Sequence, residues 1–309
     1  MSGDPNGTSM ADQRVQVDGH QLTLKRLDKV LYPAAGTTKA EVLDYYARVA
    51  PTLLCYLADR PVTRIRWPDG IDSTPFFEKN LPSYAPSWLH SVVLPTPGSS
   101  RNAETLRFPL LSNTAGLIWA VNLASLEFHV PQWTVGPRGA VHHPNRLVID
   151  LDPGPPAGLA ECAEASRLIR DRLAADGLAA VPVTSGSKGL QLYVALDGSQ
   201  EVSIVQRYAK ALAESLAREH PDLMVAKMTK SLRGGKVLLD WSQNNPAKTT
   251  ISPYSMRGRA QPWVAAPRTW DELAEPGLSQ LDTATVLDRL AGVGDLAAEL
   301  LAGGARLPT

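Results

Sequence analysis

Arg146-Leu147-Val148-Ile149-Asp150-Leu151-Asp152-Pro153-Gly154 combines four apolar residues with two aspartates and a chain breaker. The β-branched and aliphatic run reads as a strand, closed by the Pro-Gly turn. Residues two apart in a strand point the same way, so Asp150 and Asp152 set two carboxylates side by side on one face. Adjacent anions repel unless a cation neutralises them. An all-oxygen site of this kind suits a hard divalent ion, Mg²⁺ or Mn²⁺. Taken alone, D-x-D-P-G fits a strand-ending Asx turn without chemical duty equally well.

A third carboxylate strengthens the metal interpretation. Asp240 ends the strand pattern Lys236 to Trp241 (KVLLDW), where a buried, unpaired charge is costly. It either completes a metal site or pairs with a neighbouring arginine. Three carboxylates suffice for two divalent ions, the arrangement that supports in-line nucleotidyl transfer. Between the two aspartate strands lies Thr184-Ser185-Gly186-Ser187-Lys188-Gly189-Leu190. Its small residues let backbone N–H groups approach phosphate oxygens, and its hydroxyls and Lys188 add donors and charge. The G-x-x-x-x-G-K-[ST] spacing of a Walker loop is absent, and an ordinary hairpin connection is the bland alternative.

Around these segments the pattern alternates. Helices are expected at 159–175 and 201–219, and strands at 180–184 and 190–196. The first half offers an amphipathic helix at 39–57, kinked or divided by Pro51, and a strand at 61–67. Residues 91–107, with Pro95, Pro97 and Gly98, read as a surface loop. The fold class is α/β (α+β), with helices flanking sheets. Residues 1–20 are expected as a flexible tail and 21–302 as one catalytic domain, divided near residue 145.

The 309 residues carry 31 basic and 31 acidic side chains, which argues against a binder relying on bulk positive charge. The average hides opposite blocks. Met224 to Arg268 holds eight basic residues and one acid, a local +7, whereas Asp271 to Leu300 holds seven acids and one arginine, a local −6. Two cysteines, Cys55 and Cys162, make a disulfide scaffold unexpected and point to a reducing compartment. With neither a signal peptide nor an apolar run of about 18 residues, a cytoplasmic protein without membrane association is expected.

VIDLDPG, TSGSKGL and VLLDWSQN, preceded by Leu126-Glu127-Phe128-His129-Val130-Pro131-Gln132-Trp133, resemble the polymerase domain of bacterial ligase D and its stand-alone homologues, of the archaeo-eukaryotic primase superfamily. The resemblance runs from about Leu22 to Leu290. It implies a primase-like core with mixed and antiparallel sheets around a central cleft. The implied activity is that of a DNA-dependent nucleotidyltransferase, extending primer 3′ ends with NTPs or dNTPs, ribonucleotides preferred, at short gaps or breaks in end-joining or excision repair.

Residue by residue, the resemblance implies a catalytic set of Asp150, Asp152, Asp240 and His129, with the three aspartates holding two Mn²⁺ (or Mg²⁺) ions. The nucleotide would meet Ser185, Ser187, Lys188, Arg233, Gln243, Arg257 and Arg259, with Lys230 adding a phosphate contact. Phe76 and Phe77, with Lys79, would stack on DNA bases, although one of two adjacent phenylalanines is ordinarily core. Lys29, Lys39 and Arg26 would receive a downstream 5′-phosphate, helped by a helix N-terminus. The implied partners are gapped or broken duplex DNA and a DNA ligase acting in trans, with the chain a monomer that joins the nucleoid during repair. Three residues depart from the family pattern: Ile65 where a lysine is common, Gln191 where a histidine is usual, and Arg26 where an asparagine often stands. Substrate preference is expected to shift through these or through the loop at Pro95 to Asn102. A haloacid-dehalogenase-like phosphatase and a non-catalytic DNA-end binder are the competing interpretations.

Overall fold

The computed structural model describes residues 12–96 and 104–308. Its five α-helices are α1 (Lys39–Leu57), α2 (Thr114–Asn122), α3 (Leu159–Ala175), α4 (Val202–Glu219) and α5 (Thr283–Val293). Alternation along the strand Arg146–Pro153 determines where they lie. Leu147, Ile149 and Leu151 belong to a core that includes Ile169 and Leu173 of α3 and Val205, Leu212 and Leu216 of α4. Val148 belongs to a different core, built mainly on α1. Asp150 and Asp152 continue the face of Val148, away from the two covering helices.

That strand is central in a six-stranded sheet, ordered Met224–Val225, Val237–Asp240, Arg146–Pro153, Leu190–Ala195, Ala180–Thr184 and Ala266–Pro267. Its pairs are antiparallel except the first, which is parallel. A second, four-stranded sheet runs Thr250–Ile251, Ser125–Val130, Thr63–Arg66 and Phe76–Glu78. It shares the α1 core, where Val42, Val49, Leu53 and Leu57 are fully buried, each contributing about 1.5–3 kcal/mol. The tyrosines of α1 reach neighbouring elements with their hydroxyls: Tyr45 donates to the carbonyl of Tyr254 at 2.7 Å and Tyr46 to that of Leu126 at 2.6 Å. Asp295, just past α5, accepts from Tyr56 and Tyr254 at 2.6 Å each and fastens the C-terminal segment to this core.

The structure departs from the sequence expectations in three places. Within the expected tail, Gln13–Val17 pairs with His20–Leu24 as a hairpin, its turn made by Asp18 (φ 47°) and Gly19 (φ 78°). Two central residues at positive φ match the twist of the flanking strands. The expected loop at 91–107 is largely a second hairpin, Ser91–Pro95 with Thr105–Pro109; the part of the Pro95–Asn102 expectation from Pro97 onward lies outside the described residues. α1 runs through Pro51 undivided. Among the described residues no helix is long and apolar enough to cross a membrane.

Candidate active site

Asp150 and Asp240 stand directly opposite each other in the antiparallel pair, and Asp152 follows two residues along. Paired positions present their side chains on one face, with Cβ atoms about 4.5–5.5 Å apart, so all three carboxylates converge. Burial, reinforced by the charge of Asp152 and then of Asp240, pushes Asp150 up to about 7, against a hydrogen bond from Gln191. Asp152 is also pushed up, by burial and by Asp240, while Arg233, Arg257 and Lys188 oppose the shift.

Asp240 is held by its own turn. Its Oδ1 accepts from the Ser242 backbone at 3.0 Å and the Ser242 hydroxyl at 2.5 Å, and its Oδ2 accepts from Gln243 Nε2 at 2.8 Å. Lys248 approaches within 3.7 Å, so the ion-pairing partner is a lysine rather than an arginine. Among the described residues no group of three His, Cys, Asp or Glu side chains is posed as a finished metal cage. The donor chemistry nonetheless fits a divalent cation: oxygen only, anionic, and mutually repelling.

A cleft of about 670 Å³ opens in front of these carboxylates. It gathers most of the nucleotide set that the resemblance implies: His129, Asp150, Asp152, Ser185, Ser187, Lys188, Gln243, Arg257 and Arg259 all line it. Arg233 and Asp240 border the same region without lining it. In the phosphate-type loop, Gly186 (φ 66°) donates its N–H to Gln280 Oε1 at 2.7 Å. A Cβ at Gly186 would lie 2.5 Å from Arg257 and 2.8 Å from the backbone of Val264, so only glycine fits. The Ser187 N–H points to the Ser185 hydroxyl at 3.3 Å, and Arg259 Nε donates to the Ser187 hydroxyl at 2.9 Å. The Ser185 N–H also donates, to the Gly189 carbonyl at 3.0 Å, so three loop N–H groups are engaged within the protein and Lys188, Arg259 and the serine hydroxyls remain to meet an anion.

Two residues outside the expected set organise the cleft. Glu127, 3% exposed, binds His129 Nε2 at 2.7 Å and Arg257 at 3.4 Å through Oε2, and the Gly258 N–H at 2.9 Å through Oε1. Burial raises its pKa, but the hydrogen bond from His129, the Arg257 charge and the Gly258 N–H together outweigh it and hold the carboxyl at about 2. The departure residue Ile65 is buried and sits opposite Glu127 in register; its apolar side chain does not compete for the carboxylate. Gln191 is paired in register with Asp150 and donates Nε2 to its Oδ1 at 3.0 Å, while Tyr193 donates to Gln191 Oε1 at 2.9 Å.

The remaining expected groups lie outside the cleft lining. Phe76 and Phe77 are 59% and 67% exposed, which corrects the expectation that one of them is core. Their strand is the outer one of its sheet. Glu78, next in line, pairs with Arg64 at 2.8 Å and Arg66 at 3.0 Å, anchoring the edge that displays both rings. Lys29 donates to the carbonyl of Pro68 and to Asp69 at 3.0 Å. Lys39 is 5% exposed and donates to the Lys25 carbonyl at 2.5 Å and to Asn122 at 2.8 Å. The N-terminus of α1 is capped from within, by Thr38 and Glu41, so the first backbone donors are partly used. Arg26 is exposed, at φ 51°. Burial, with Arg26 and then Lys29 nearby, lowers Lys39 to about 8.

The profile described as LigD, primase-polymerase domain, matches residues 38–297. The chain is 48% identical over 293 residues to the multifunctional non-homologous end joining DNA repair protein LigD of Mycobacterium tuberculosis, covering 93% of this chain and 37% of that protein. It is 33% identical over 274 residues to the bifunctional non-homologous end joining protein LigD of Bacillus subtilis, covering 87% and 42%. The chain thus spans about two fifths of the length of these relatives. Its structure matches the polymerase domain of Mycobacterium tuberculosis ligase D in complex with DNA, with TM-score 0.86 and 48% identity, over 92% of this chain and 99% of that one. The phosphatase interpretation of the D-x-D strand is set aside by this match, and the chain belongs to the LigD primase-polymerase domain family, with its archaeo-eukaryotic primase fold.

Proposed function

We propose that the protein is a DNA-dependent nucleotidyltransferase of DNA repair, extending primer 3′ ends across short gaps or breaks with ribonucleotides in preference to deoxyribonucleotides. The observation that carries this is the placement of Asp150 opposite Asp240, with Asp152 on the same face and a cation-lined cleft before them. Asp150, Asp152 and Asp240 would hold two divalent ions, Mn²⁺ in preference to Mg²⁺. Bound there, such ions offset the carboxylate charge and polarise the reacting phosphoryl group and primer hydroxyl.

The chain's own groups do the rest. Lys188, Arg233 and Arg259, with the hydroxyls of Ser185 and Ser187, bind and orient the triphosphate. Glu127 fixes the ring of His129 and the guanidinium of Arg257 toward the nucleotide, and Gln243 steadies Asp240. Phe76 and Phe77 stack on bases without sequence preference. Arg26, Lys29 and Lys39 form a pocket for a downstream 5′-phosphate; Lys39 is lowered first by burial and then by Arg26 and Lys29, and an anion there relieves that repulsion. The protein acts as a monomer, and a DNA ligase seals the product.

The test is Mn²⁺-dependent extension on gapped duplexes, comparing ribo- with deoxynucleotides, with and without the 5′-phosphate. Asp150→Ala combined with Asp152→Ala abolishes extension while DNA binding persists. Extension surviving in that double variant would overturn the assignment and favour a role in binding DNA ends alone.

A further inference from the structure

A second cavity, of about 440 Å³, adjoins the cleft through Thr249, which lines both. Its walls are apolar and aromatic, among them Leu94, Phe108, Pro131 and Trp133. The Trp133 ring is fixed in place, its indole N–H donating to the carbonyl of Pro246 at 3.0 Å. Thr63, Thr96, Thr249 and Lys79 interrupt the lining. Thr63, 3% exposed, lines this cavity, and its hydroxyl has no hydrogen-bond partner in the protein. Buried hydroxyls are normally paired; this one is sealed from solvent as well, so a turn of the Thr63 side chain is needed to bring it to an occupant of the cavity. Thr63 is also opposite His129 in register, which places the cavity beside the cleft rather than on a remote surface. At the rim stands Lys79, exposed and without an ion pair among the described residues, directly after the strand that displays Phe76 and Phe77.

We propose that this cavity receives an unpaired nucleobase of the template strand, adjacent to the one being copied. The inference rests on the proposed polymerase reading, and the chemistry selects the occupant. A base has apolar faces for Trp133 and the aliphatic walls, and an edge of nitrogen and oxygen atoms for the Thr63 hydroxyl. Because a hydroxyl both donates and accepts, it serves every base, so the pocket has no sequence preference. The backbone phosphate of the same nucleotide falls to Lys79. An apolar peptide side chain would leave both Thr63 and Lys79 unmet. The incoming nucleotide is not the occupant, because its triphosphate requires the cationic cleft. A primer terminus is base-paired. A gap longer than one nucleotide, however, always exposes a template base beyond the one in use, and the cavity removes it from competition for the incoming nucleotide.

The experiment compares binding of two-nucleotide gaps that carry either a base or an abasic site at the second template position. A one-nucleotide gap serves as the control. Wild-type protein is expected to bind the base-containing gap about tenfold more tightly than the abasic one, the effect of one stacked base. Ala247→Trp, which fills the cavity, removes that difference. Thr63→Val keeps the shape, deletes the hydroxyl and weakens base-dependent binding about threefold. 2-Aminopurine at the second position loses fluorescence on binding the wild type and keeps it with Ala247→Trp. Equal binding of base and abasic gaps by the wild type, or a difference that persists in Ala247→Trp, would overturn the proposal. So would an equal loss of one-nucleotide-gap binding in that variant, since the added ring would then be obstructing DNA in general. Failure of the wild type to fill the one-nucleotide gap would instead strike the polymerase reading, because the cavity is judged on binding alone.

Discussion

Glu127→Gln separates a positioning role for this carboxylate from a merely structural one. The substitution keeps volume and hydrogen-bonding reach, so the strand Ser125–Val130 is not disturbed by a cavity. It removes the charge that binds His129 at 2.7 Å and Arg257 at 3.4 Å. The amide can still accept the Gly258 N–H on Oε1, but its NH₂ then faces two donors in place of one acceptor. Losing a charge-assisted hydrogen bond costs about 1.5–3 kcal/mol. If that loss is felt by the ring and guanidinium facing the nucleotide, kcat/KM for the nucleotide falls about 10- to 150-fold. The assay is steady-state insertion of one ribonucleotide into a one-nucleotide gap with Mn²⁺, run beside His129→Ala and the double variant. Because Glu127 acts through His129 and Arg257, the double variant should be less impaired than the product of the two single effects. An effect under twofold, or strictly multiplicative effects, would refute this account. The same carboxyl, held at about 2 against an ordinary value near 4.5, adds stability above pH 4.5 that is lost as pH falls toward 2. Glu127→Gln should flatten that part of the acid limb in urea titrations.

Phe76→Ala and Phe77→Ala should each weaken gapped-DNA binding about tenfold with thermal stability nearly unchanged, since neither ring is buried; a drop in melting temperature without loss of affinity would contradict this. Lys39, lowered to about 8 from 10.5, carries its charge in the folded protein only below pH 8, so the binding advantage from a 5′-phosphate should shrink as pH rises through 8. Folding stability should move the other way, rising between pH 8 and 10.5, because the unfolded chain then holds the extra proton. An advantage constant from pH 7 to 9 would remove Lys39 from the phosphate pocket. Gly189→Ala places a Cβ 1.9 Å from the Leu151 carbonyl oxygen; moving the central strand should cost about 3 kcal/mol or more, visible as a lowered melting temperature. A variant as stable as the wild type would show that the sheet yields there.

The legible and hidden features divide by the range of the interactions that create them. The pairing of Asp150 with Asp152 follows from the two-residue period of a strand, and the helix covering follows from apolar spacing; both are local rules. That Asp240 meets Asp150, rather than a position two residues away, is a matter of register between segments about 90 residues apart in sequence, set by cores that no local pattern records. Glu127 was visible in the letters, an acid two residues before a histidine on one strand face, yet its meaning depends on Arg257 and Gly258 arriving from a distant loop. The Asp18-Gly19 turn was local and readable, flanked by Val15, Val17, Leu22 and Leu24, and was obscured by the polar residues before it. The exposure of both Phe76 and Phe77 belongs to the edge of a sheet, a property of strand order rather than of sequence. The formal charge of zero behaves the same way. Lys188 and the Arg257–Arg259 segment lie about 70 residues apart in sequence and meet only in the folded cleft, where Lys188 and Arg257 oppose the carboxylate of Asp152. An anionic polymer then senses that local field and not the mean, and its affinity should fall with salt in proportion to the few phosphates those side chains touch.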